Sequence, residues 1–183
     1  MMKHCKKVLA ASVVAVALAG TAGCSTTKPQ SPMSVQVDLI AEIKTAATQL
    51  MGNARGLHTD SPVLAATFAD IDDLQQSSTF GRTLSEQFTS ALSNQNLPVI
   101  EVKMRDSLFV KERTGELILS RKLHSLVQAH DAQAVLLGTY AIGGHNVYVN
   151  VRIVRTSDNI ILGSHDFSLP LNRDIKAMLP RKR

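Results

Sequence analysis

The stretch Val147 to Val154, VYVNVRIV, alternates without a break. Val147, Val149, Val151 and Ile153 point one way, while Tyr148, Asn150 and Arg152 point the other. Successive side chains of a strand face opposite sides of a sheet, so this segment requires a sheet with a dry face and a polar face. Gly143-Gly144 before it marks a hairpin, and Ser157-Asp158-Asn159 after it a second turn. The flanking strands are then Ala134 to Tyr140 (AVLLGTY) and Ile160 to Phe167, which complete an antiparallel meander. AVLLGTY is a largely apolar run, as suits a central strand covered on both faces.

Upstream the period changes. Val35, Leu39, Ile40, Ile43, Ala46, Ala47 and Leu50 recur at three and four residues, predicting a helix over 35–51 that stops at Gly52-Asn53. Val63 to Ala69 (VLAATFA) reads as a buried strand. The acidic turn Asp70, Asp72, Asp73 follows, and Ser78 or Thr79 can cap a helix that buries Phe80, Leu84, Phe88, Ala91 and Leu92. Pro98 to Val102 is the next strand, which completes a β-α-β unit with a parallel pair and a right-handed crossover. Lys103 to Thr114 carries charge around Leu108-Phe109-Val110 and has no clear period. Ser120 is the expected cap of a helix with Leu123, Leu126 and Val127 facing inward. The expected fold is α+β, an α/β sandwich: a mixed β-sheet with a β-α-β unit followed by a helix and a C-terminal antiparallel β-meander, over residues 35–168. Residues 169–183, ending PRKR, read as a basic tail.

The first residues are an address rather than part of this fold. Lys3, Lys6 and Lys7 precede an apolar run from Val8 to Ala19. Twelve residues rise only ~18 Å as a helix, too short for a bilayer core of ~30 Å. A short apolar run behind a basic start is a secretory signal. Thr21-Ala22-Gly23-Cys24 resembles a lipobox, with Thr21 where Leu is usual. The resemblance implies a lipoprotein signal peptide at 1–23, lipidation of Cys24 and a lipidated tether over 24–34. It also implies, from Ser25 after the cysteine, sorting to the outer membrane. The alternative is an ordinary signal peptide that leaves Cys24 as a free thiol.

Removal of the signal changes the charge. The twenty basic residues lose the three signal lysines, leaving seventeen against fifteen acidic ones, a balance of +2. Arg181, Lys182 and Arg183 supply more than that excess. The basic character of the whole chain is thus no argument for nucleic acid, and aromatics at 4% with no Trp give no base-stacking surface.

Motifs for chemistry are missing. There is no phosphate loop, GxGxxG, HExxH or GxSxG segment. His124 and His130 are six apart, on different sides of a helix, and His145 and His165 fall near opposite loops of the meander. Asp72 and Glu86 are the only acid pair worth naming for a glycosidase-type hydrolase, and nothing prefers them. No metal site, cofactor site or catalytic set is expected. The row Tyr148, Asn150, Arg152 is instead a candidate protein-contact patch, since Tyr and Arg are enriched at binding hot spots.

Taken in order, TFADIDDLQQSSTFGRTLSEQFTSAL, GELILSRKL and AVLLGTYAIGGHNVYVNVRIV resemble the FlgO family of flagellar outer-membrane proteins. The matching positions are Gly81-Arg82, Gly115-Glu116 with Ser120-Arg121, Gly138-Thr139-Tyr140 and Arg152, within about residues 35–167. The resemblance implies a non-enzymatic, lipid-anchored accessory of the flagellum that supports motility. Its partners would be the outer membrane and basal-body or other outer-membrane proteins, with oligomers of its own an option. It assigns no role to Arg82, Glu116, Arg121 or Arg152. The competing readings are a secretion lipoprotein similar to the curli-secretion protein and, from another class, a periplasmic hydrolase or ligand-binding module.

Overall fold

The computed structural model describes residues 37–101, 109–111, 117–119 and 121–180. Helix α1 spans Leu39–Asn53 and starts where the Asp38 carboxylate accepts from the Ile40 and Ala41 amides. That cap satisfies two of the donors a helix start leaves without partners. Strand β1 is Val63–Ala65 and strand β2 is Ala69–Asp70. Helix α2, Thr79–Ser93, is capped by the Ser78 hydroxyl, which accepts from the Gly81 amide. Strands β3 (Val99–Glu101), β4 (Phe109–Lys111) and β5 (Leu117–Leu119) follow, then helix α3, Arg121–Ala129. Strands β6 (Ala134–Ile142), β7 (Asn146–Arg155) and β8 (Ile161–Pro170) lead to helix α4, Arg173–Met178.

The main sheet runs β3-β1-β6-β7-β8, with β2 beside the far part of β6. β1 is parallel to β3 and β6, and β6-β7-β8 are antiparallel. This is the mixed sheet, β-α-β unit and meander expected from the sequence. β4 and β5 form a separate antiparallel pair, Phe109 opposite Leu119; β4 lies in the stretch 103–114, where no period was legible, and β5 just after it.

Each sheet face has its own core. On one, Ile43, Ala46, Ala47 and Leu50 of α1 join Leu84 and Phe88 of α2, Ile175 of α4 and the odd-numbered valines of β7. On the other, Leu123 and Val127 of α3 cover Leu64, Val135, Leu137 and Val154. Ala54, just after α1, comes so close to β8 that a Cβ on Gly163 would stand 2.9 Å from the Ala54 Cα. The Arg55 amide donates to the Leu162 carbonyl and the Asn53 side chain to that of Ser164, so the end of α1 covers part of the β8 edge.

Four expectations change. The strand expected over 63–69 is two pieces, because the chain kinks at Ala66–Phe68 to put the Phe68 ring into the core. Ile40, expected on the buried side of α1, is 48% exposed. His165 lies mid-strand opposite Val151, stacked on Phe167, not near a loop. Residues 169–183 are not a tail throughout: Leu169 is buried at the end of β8, Asn172 caps α4, and Ile175 is buried. Arg181, Lys182 and Arg183 lie outside the described residues, as do Cys24, the tether at 24–34, and Gly115, Glu116 and Ser120 of the family pattern.

Candidate protein-contact face

The α3 helix covers only part of its side of the sheet. Val135 and Leu137 on β6 and Val154 on β7 lie under it, whereas farther along the same face Thr139, Ala141, Arg152, Asn150 and Tyr148 emerge beyond it. Register then builds the open face: Asn150 lies between Thr139 on β6 and Asp166 on β8, Tyr148 between Ala141 and Ser168, and Arg152 between Leu137 and Ser164. Same-face neighbours across strands are close enough to act together.

The arrangement forms a shallow groove of about 510 Å³ lined by Ile71, Thr139, Tyr148, Asn150, Asp166 and Ser168. Tyr148 is 56% exposed and Ile71 47%. The Asn150 side-chain amide donates to the Asp166 carboxylate, which fixes both groups across the two strands. An exposed phenol, an aliphatic residue, an amide, a carboxylate and a guanidinium give apolar contact and hydrogen bonding in one place. Protein-contact surfaces combine apolar and hydrogen-bonding groups in this way.

All three residues picked from the alternation, Tyr148, Asn150 and Arg152, stand on this face. Sequence reasoning missed Ile71 and Asp166. Asp166 was recoverable from the polar alternation Ser164, Asp166, Ser168 once the register was known. Ile71 was hidden among the aspartates, of which Asp70 turns inward and is buried while Asp72 and Asp73 are exposed. Asp70 accepts from the Asp72 amide and Asp73 from the Gln75 amide, so the acidic cluster shapes a turn leading to α2. Asp72 on this turn and Glu86 on α2 are both exposed, on separate elements. Among the described residues no group of three or more His, Cys, Asp or Glu converges as a metal site, and no helix is long and apolar enough to cross a membrane.

Other motif positions have structural roles. Arg82 donates to the Ser77 and Thr79 hydroxyls and braces the start of α2. A Cβ on Gly81 would stand 2.1 Å from the Phe68 carbonyl oxygen, so only glycine lets the first turn of α2 approach that kink. The Tyr140 hydroxyl reaches the Ser78 hydroxyl at 2.7 Å, joining β6 to the α2 cap. Burial pushes the Tyr140 phenol up from its ordinary range, against the bond to Ser78, which lowers it.

The family model described as FlgO protein matches residues 44–174, from within α1 to the first turn of α4. No curated protein matches the chain. Among solved structures the chain is similar to the LpoB C-terminal domain from Salmonella enterica, at 15% identity and a TM-score of 0.53, covering 69% of this chain and 94% of that one. The LpoB C-terminal domain from Escherichia coli is similar at 14% identity and a TM-score of 0.52, covering 73% and 98%. At such identities the likeness is one of fold.

Proposed function

Since this chain belongs to the FlgO family, we propose that it is a non-enzymatic lipoprotein of the outer membrane that helps assemble or stabilise the flagellum and so supports motility. The observation that carries this reading is the extent of the family match, which takes in the whole main sheet, helices α2 and α3 and most of α1. The lipid is attached at Cys24, and residues 24–34 tether the domain to the membrane. Three acyl chains, each buried CH₂ contributing about 0.8 kcal/mol, anchor such a protein stably. The open face around Tyr148, Asn150 and Arg152 is the contact surface for a basal-body or other outer-membrane protein. This sheet face, part covered and part bare, supports holding a neighbour over turning over a substrate.

Two experiments test the proposal. Metabolic labelling with palmitate should mark the wild type and not Cys24→Ala; equal labelling refutes the lipid anchor. Deletion of the gene should reduce swimming and flagellation and leave cell-wall digestion products unchanged. Normal swimming with altered muropeptides would instead favour a hydrolase of the cell wall.

A further inference from the structure

The β8 edge of the sheet is blunted at both of its ends and open between them. The hairpin sets which backbone groups face out. The Gly143 amide donates to the Asn146 carbonyl, so the even-numbered residues of β7 bond to β6 and the odd-numbered ones to β8. His165, Phe167 and Leu169 therefore direct their amides and carbonyls at β7, and Ser164, Asp166 and Ser168 direct theirs outward. The Asn53 side chain takes the outward Ser164 carbonyl. At the other end Pro170 has no amide hydrogen, and its carbonyl accepts from the Asn172 amide at 2.7 Å. Between these limits the outward amides and carbonyls of Asp166 and Ser168 have no partner among the described residues. Donors and acceptors left in line this way are a template for another strand.

The same two residues line the groove, where their side chains stand beside Asn150 and Tyr148. The Asp166 carboxylate accepts from the neutral Asn150 amide and forms no ion pair among the described residues. On the reverse side of β8, His165 and Phe167 are half-buried and stack with ring centroids 6.2 Å apart. We infer that a partner docks by adding an extended segment to β8 between Ser164 and Pro170. Its alternate side chains then fall on two different surfaces. Those on the groove side carry a basic group at Asp166 and an apolar one reaching over Ser168 toward Tyr148. Those on the reverse side are apolar and lie against Phe167. The inference rests on the contact-face reading above and adds the mode of binding and the charge of the bound segment. A second copy of this chain is the poorer occupant. Antiparallel pairing centred on the gap sets Asp166 opposite its own copy, where like charges repel. A register shifted toward Leu162 runs into the end of α1, and one shifted the other way meets Pro170.

The test uses the full mature chain carrying Cys24→Ser and a synthetic peptide, Val-Lys-Val-Leu-Val-Lys-Val. Amide hydrogen exchange read by NMR should slow about tenfold at Asp166 and Ser168 when the protein is about 90% bound. It should stay as it was at Phe167 and Leu169, whose amides already bond to β7. A peptide N-methylated at alternate amides on its docking edge keeps its side chains and loses its donors, so it should give no protection. Glutamate in place of lysine should weaken binding about fivefold. Ser168→Pro removes one outward donor and no bond to β7, so it should abolish protection at Asp166 with the melting temperature kept. If that variant unfolds, the N-methylated peptide on the unsubstituted edge carries the same test. No slowing at Asp166 and Ser168, or equal slowing by the N-methylated peptide, overturns the inference. So does protection without peptide that grows with protein concentration, which makes a second copy the occupant. The contact-face reading is tested apart, by the swimming of Tyr148→Ala/Arg152→Ala, which leaves the backbone edge as it is. Lost swimming without peptide protection strikes only the inference, and protection with normal swimming strikes only the reading of the face.

Discussion

The ring of Phe68 fills the space that a side chain on Gly138 would need: a Cβ there would stand 2.1 Å from Phe68 Cδ1 and Cε1. The same Phe68 presents its carbonyl to Gly81, and its ring stacks on Phe88 with centroids 5.3 Å apart. One aromatic residue at the kink between β1 and β2 thus sets the glycines of two separate sequence motifs, the start of α2 and the middle of β6. Gly138→Ala should therefore destabilise the fold by about 1–3 kcal/mol through overpacking, read from urea unfolding. Phe68→Leu, which frees the ring's space, should cost stability alone yet reduce the penalty of Gly138→Ala in the double variant. Strict additivity of the two would show that they do not compete for one volume.

Tyr140 makes a prediction about pH. Burial raises its phenol in the folded state, and an unfolded chain has it near 10. Between the two values the unfolded chain has lost a proton that the folded one keeps, so stability falls as pH rises. The contribution is complete below pH ~10 and disappears as the pH climbs through the folded value. Tyr140→Phe gives up the hydrogen bond to Ser78, about 1 kcal/mol at neutral pH. The variant should lose less stability than the wild type between neutral and strongly alkaline pH. Denaturant midpoints measured across that range check this, and parallel curves would refute it.

How much of this was readable beforehand follows from what each pattern encodes. The alternation of β7 is a property of neighbouring residues, and it placed Tyr148, Asn150 and Arg152 together on the open face of the sheet. The helical spacing of α1 and α2 worked for the same reason, as did Ser78, whose hydroxyl acts three residues ahead. What failed was non-local. The break at Phe68 depends on two glycines that are distant in sequence, and Ile71 joins the groove only because β2 runs beside β6. Ile40 has the right spacing to be buried, yet among the described residues no element lies over it.

The C-terminal segment was misread because Arg173, Asp174 and Lys176 outweigh Ile175 in composition, although the Asn172 cap is a local signal. The buried Ile175 makes the difference measurable. Removing residues 181–183 should leave the melting temperature unchanged. Ile175→Ala should cost about 2 kcal/mol, the low end for a buried large-to-small change, because α4 is short and lies at the edge of the core. If Ile175→Ala is neutral in thermal and urea unfolding, α4 is an ornament and the tail begins after β8.

The proposed contact face gives the sharpest separation of function from fold. Tyr148 and Arg152 are exposed, so their truncation should change stability by less than about 0.5 kcal/mol. If the face binds a partner, a hot-spot loss of ~2 kcal/mol corresponds to about thirtyfold in Kd. Tyr148→Ala/Arg152→Ala, expressed in the deletion strain at wild-type level, should then fail to restore swimming and co-purify less with basal bodies, with its melting temperature kept. Asp166→Asn leaves the strand intact and removes only the charge from the Asn150 pair, so it should give an intermediate loss. A fall in melting temperature together with the defect would make these residues part of the fold. Full restoration of swimming by the double variant would show that the bare half of the sheet is not the contact surface.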